Sequence, residues 1–86
     1  MLEKKIKNKI MEIMKLSLEK SNEDKNTVFV KFSGHSECLE IDIYIKGWKP
    51  NRNADFNKIW FLCNHSTEEN IQTLDEIIEK LEKLNK

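Results

Sequence analysis

Charge of one sign is what this sequence lacks. Its 15 Lys and Arg residues are matched by 15 Asp and Glu, although charged residues make up 35% of the chain. A dedicated duplex-DNA binder carries a basic excess. A protein that imitates DNA by surface charge carries an acidic one. Neither excess exists over the whole chain, so only local patches can matter. Long apolar runs are also missing. No stretch approaches the roughly 20 residues that span a bilayer. The segment Met1-Leu2-Glu3-Lys4-Lys5-Ile6 holds no apolar signal region. The expectation is a soluble, cytoplasmic protein with no membrane partner. Its two cysteines are then reduced thiols. Glycine and proline are scarce, at two and one residues. Each therefore marks a connection.

Eighty-six residues make a single domain with a thin core. Oligomerisation is a common remedy at this size, and a homo-oligomer is expected. The spacing of Leu2, Ile6, Ile10, Ile13 and Met14 predicts an amphipathic helix over 2–20. Met11, Leu16 and Leu18 widen its stripe. A polar loop follows over 21–26. Thr27 to Phe32 is β-branched and aromatic, hence a strand. Ser33 to Glu37 reads as a hairpin connection, with Gly34 free to take positive φ. Cys38 to Lys46 alternates cleanly. Leu39, Ile41, Ile43 and Ile45 should face the core, and Glu40, Asp42, Tyr44 and Lys46 should face away.

Gly47 to Lys58 reads as a long polar loop. Ile59 to Cys63 reads as a short third strand of ambiguous register. Ser66-Thr67-Glu68-Glu69 fits a capping box and opens a helix over 67–84, with Ile71, Leu74, Ile78 and Leu81 as its seam. The predicted fold is α+β, in the order α-β-β-β-α. It is a three-stranded antiparallel meander with the N- and C-terminal helices on one face. Phe29, Lys31, Glu40, Asp42, Tyr44 and Lys46 would then lie on a face with no helix left to cover it.

Chemistry-bearing residues cluster at the two ends of the central strand. His35-x-x-Cys38 and Cys63-x-His65 supply zinc-type ligands. The one-residue gap between Cys63 and His65 is tighter than structural sites use, so no metal is expected. No nucleophile elbow or oxyanion loop accompanies either cysteine. Alternating Glu40 and Asp42 read as a solvated sheet face, so no catalytic residue and no cofactor are assigned. The turn at Ser33-Gly34-His35 offers a hydroxyl, an imidazole and open amides. Lys46, Lys49 and Arg52 add cations, which suits an anion nest. Trp48 could stack on a base. The bland reading makes Gly34 a turn residue and Trp48 a lid on the core. An RRM-like sheet needs four strands and aromatic motifs, and Glu40 and Asp42 oppose a nucleic-acid platform on the open face, so nucleic acid is not the expected partner.

The segments Phe32-Ser33-Gly34-His35, Leu39-Glu40-Ile41-Asp42-Ile43-Tyr44 and Gly47-Trp48 resemble those of small uncharacterised proteins of phages and prophages in low-GC Gram-positive bacteria. The likeness covers residues 27–85. It implies a phage-type binding protein in the cytoplasm of an infected or lysogenic host. Such a protein would neutralise a host defence protein or sequester a small anionic, nucleotide-type signal. The ligand-binding set would be Ser33, His35, Lys46, Trp48, Lys49 and Arg52. The alternative is a structural or regulatory oligomerisation module without a ligand. The two ends of the strand lie roughly 30 Å apart if fully extended, so one ligand touching both would need a second chain.

Overall fold

The computed structural model describes residues 3–21 and 26–84. Their order is α1 (Lys4–Lys20), β1 (Asn26–Ser33), β2 (Cys38–Ile45), β3 (Phe56–Phe61), a 3-10 turn (Leu62–Asn64) and α2 (Thr67–Glu82). The strands form one antiparallel sheet in the order β1-β2-β3. Both helices lie on one face. The α+β arrangement read from the sequence is the one observed. Leu2 and positions 22–25 of the expected loop lie outside the described residues.

Helix α1 contains no glycine or proline and is rich in Lys, Glu, Met and Leu, all good helix formers. Helix α2 starts at a complete capping box. The Glu69 amide donates to Ser66 Oγ at 3.1 Å, and the Ser66 amide donates to Glu69 Oε1 at 3.0 Å. The Ser66 backbone N–H, and after it the Ser66 hydroxyl, hold the Glu69 carboxyl below its ordinary value.

The two helices run parallel. Thr67 Oγ1 donates to Glu3 Oε1, Lys9 pairs with Asp75 at 2.6 Å, and Lys20 Nζ donates to the Leu84 carbonyl at 2.8 Å. The last bond places a cation on carbonyls left open at the end of α2.

The core joins Ile6, Ile13 and Leu16 of α1 to Leu39, Ile41 and Ile43 of β2. It continues through Leu62 to Leu74, Ile77 and Leu81 of α2. β2 is central and alternates buried with half-buried residues, as its sequence predicts. Several expectations need correction. Ile45 is exposed, because it ends β2 beyond the apolar cluster. Met11, Met14 and Leu18 are exposed rather than part of the α1 stripe, while Leu16 is buried. β3 begins at Phe56 rather than Ile59 and ends at Phe61, and Leu62 to Asn64 form a helical turn. Gly34 does not carry the positive φ of its turn. Glu37 does, at 49°.

Candidate functional site

The register resolves the two faces of the sheet. Val28, Val30, Leu39, Ile41, Ile43, Phe56 and Trp60 share the helix side. The opposite side carries Thr27 beside Tyr44, Phe29 beside Asp42 and Asn57, and Lys31 beside Glu40 and Ile59. Ser33 lies beside Cys38 and Phe61 in the same layer. No described element covers this side. Phe29, Ile59 and Phe61 remain 48%, 52% and 42% exposed. Phe29 meets the Tyr44 ring edge-on at 5.8 Å, a favoured aromatic geometry. Asn57 donates to Asp42 across the strands. A shallow depression of about 320 Å³ opens among Phe29, Val30, Lys31, Glu40 and Asp42.

The sequence left the register of β3 open, because residues 59–62 are apolar on both alternations. The structure turns Trp60 inward, where its indole N–H donates to Asn70 Oδ1 at 2.8 Å. Asn70 in turn donates to the Leu62 carbonyl at 3.0 Å. The His65 ring stacks on Trp60 at 3.8 Å, and its Nδ1 lies 2.8 Å from the Phe61 carbonyl. This network missed detection in the sequence. The available signal was Asn70, a polar residue on the apolar seam of α2, where burial demands a partner.

The predicted ligand set does not converge. Ser33 ends β1, half-buried beside Cys38, and His35 is exposed in the turn. Lys46, Trp48, Lys49 and Arg52 follow the other end of β2, about 23 Å along the strand from Cys38. Trp48 is 51% exposed and its amide donates to Thr27 Oγ1. Lys46 and Lys49 are exposed.

Arg52 is engaged within its own loop. Its Nη1 donates to the Ile45 and Gly47 carbonyls, and its Nη2 grips both oxygens of Asp55 at 2.9 and 2.7 Å. Asp55 also accepts from the Ile45 amide at 2.6 Å. The guanidinium thus clamps the 46–55 loop through its donors. Cys63 and His65 likewise turn toward local partners, with Cys63 Sγ 3.6 Å from the Ser36 carbonyl. Among the described residues, no three His, Cys, Asp or Glu side chains gather as a metal site would require. No helix among them is long and apolar enough to cross a membrane. No known protein family, curated protein or solved structure matches this chain.

Proposed function

We propose that this is a non-catalytic binding protein of phage type that acts by occupying a host protein, as a counter-defence factor. The observation that carries the reading is the uncovered sheet side, where Phe29, Ile59 and Phe61 hold their side chains in solvent. Apolar groups grouped on one surface favour association with a macromolecule. The resemblance of the Phe32–Trp48 segments to phage proteins supplies the biological setting. Sequestration of a small anion draws less support, because Arg52 is engaged within its loop and the remaining groups are split between two ends.

Capture from a bacterial host lysate tests the reading. Ile59→Lys and Phe61→Lys should abolish capture of a stoichiometric protein while leaving the circular dichroism spectrum unchanged. Equal capture by both variants sinks the sheet side as the binding surface. Titration with nucleotides should leave Trp48 fluorescence unchanged, and a saturating change would restore the small-anion version.

A second reading, self-assembly, is favoured by one observation. Helix α1 has six lysines against two glutamates, a net charge of +4. Helix α2 has six acidic residues against one lysine, a net charge of −5. Opposite charge on two adjacent helices favours pairing α1 of one copy with α2 of the next. Light scattering in low and high salt tests it, and a monomer in both would end it.

A further inference from the structure

The free edge of β1 has a composition and a roof that the face described above does not use. β1 is an edge strand of eight residues, Asn-Thr-Val-Phe-Val-Lys-Phe-Ser. Proteins usually blunt such an edge with proline, a bulge, charge such as lysine, or a covering element. β1 has no proline, its pairing with β2 runs unbroken from Asn26 to Ser33, and its one charge, Lys31, lies on the open side.

Backbone direction follows from the ladder. The Ile43 carbonyl accepts from the Asp55 amide at the head of β3, so Ile43 points toward β3. Alternation then turns Val28, Val30 and Phe32 outward from β2. The Val28 amide agrees, since it donates outward to Ser21 Oγ at the end of α1. The backbone groups of Val30 and Phe32 face an edge that no described strand covers. An edge of this kind is saturated by another extended strand.

Helix α1 roofs this edge. Lys9 and Lys20 bond α2, so they mark the side of α1 that faces its neighbour. At about 100° per residue, Met11 and Leu18 lie on the opposite flank, with Met14 beside them. Met11 and Leu18 are 67% and 74% exposed, and Phe32, on the helix side of β1, is exposed as well. Lys7 shares the flank, and Lys4 and Lys15 lie next to it on the side of α1 turned away from the core. Among the described residues, none of these three lysines, nor Lys31, forms an ion pair within 4 Å.

We propose that the β1 edge and the α1 flank above it form a docking site for an extended segment of a partner protein that alternates apolar and acidic residues and adds as a fourth strand. Charge complementarity selects the partner. The strand edge requires backbone pairing. Apolar side chains on one face of the added strand meet the methionines and Leu18, carboxylates on its other face meet Lys31, and the net charge of α1 favours an acidic segment at longer range. A second copy joined edge to edge would set two α1 helices of net charge +4 flank to flank. This proposal rests on the reading as a protein binder and adds the kind of segment that is bound.

The probe is a capped ten-residue peptide alternating Ile and Glu, added to the purified, isotope-labelled chain. Amide hydrogen exchange at Val30 and Phe32 should slow by about tenfold on saturation. The matching Ile/Lys peptide should bind at least about fivefold more weakly. Val30→Pro, which removes an outward N–H, and Met14→Glu, which places a like charge on the flank, should each weaken the Ile/Glu peptide by about fivefold. Should Val30→Pro fail to fold, Met14→Glu on its exposed site carries the test.

Unchanged exchange at Val30 and Phe32, or equal binding of both peptides, overturns the proposal. So does a dimer whose Val30 and Phe32 amides are protected without peptide, since a second copy would then hold the edge. Because the peptide assay needs no host protein, its failure alongside lysate capture sensitive to Ile59→Lys removes the edge site alone. Peptide binding without any lysate capture removes the host-protein reading alone.

Discussion

The two glycines of this chain have opposite roles, and the backbone decides which. Gly47 sits at φ 92° and is buried, directly after Lys46 at φ 75°. A side chain at Gly47 would be strained, so Gly47→Ala should destabilise the protein by about 1–2 kcal/mol. At Gly34 an added Cβ would meet only the Phe32 ring, at an ordinary 3.9 Å. Gly34→Ala should be neutral or stabilise by about 0.5 kcal/mol. Urea denaturation of the two variants checks both. A larger loss at Gly34 would mean that its turn has another role. From sequence, either glycine qualified for a left-handed turn. Which one takes it depends on how the strands register, because Glu37 occupies the left-handed position and offers its carbonyl to the Leu62 amide.

At the level of single elements, α2 is the most legible part. Its capping box, start and seam follow from short-range spacing. Ser66→Ala should cost about 1 kcal/mol, measured by thermal or chemical unfolding. The same cap sets a pH dependence. Glu69 titrates below its ordinary value when folded, so its contribution is fully present above the unfolded carboxylate range. It is lost as pH falls through the lowered folded value. Protection of the Ser66 amide, measured against its intrinsic exchange rate, should fall over that acidic window, and Glu69→Gln should remove the dependence. A flat profile in the native protein would contradict the cap's role.

Other elements were harder to read. β3 starts three residues earlier than its apolar run suggests, because Asn57 and Lys58 look like loop. Asn57 belongs to the strand through its partner Asp42, and the Lys58 ammonium lies over the Trp60 ring at 5.3 Å. Helix α1 deceived in the other direction. Met11, Met14 and Leu18 keep helical spacing, yet they make a second stripe on another flank. Sequence periodicity cannot separate one wide stripe from two narrow ones when the helix has neighbours on only part of its circumference.

The whole molecule depends on a single thin core in which every layer contributes. Leu74 is fully buried between the layers. Leu74→Ala should cost about 3 kcal/mol, a large share of the roughly 4–13 kcal/mol typical of a domain this size. A midpoint shift in urea measures it, and a loss below about 1 kcal/mol would show that the core can close around the gap. The fold class and the uncovered sheet side were legible because alternation in β2 and the two helical seams leave few ways to bury them together. The separation of the proposed ligand residues was also legible from strand length. The loop contacts of Arg52 were not, because residue spacing does not say which carbonyls and carboxylate a guanidinium reaches.

The parallel contact between α1 and α2 joins the first element of the chain to the last. Lys9 waits for Asp75, and Lys20 waits for the carbonyls at Glu82 and Leu84. During synthesis, the apolar faces of α1 and the sheet therefore stay unsealed until α2 has left the ribosome. The expectation is that α1, the sheet and α2 fold as one unit. A fragment ending before Thr67 should show little stable structure by circular dichroism. The uncovered side of the sheet is then backed by its full core only once α2 is in place.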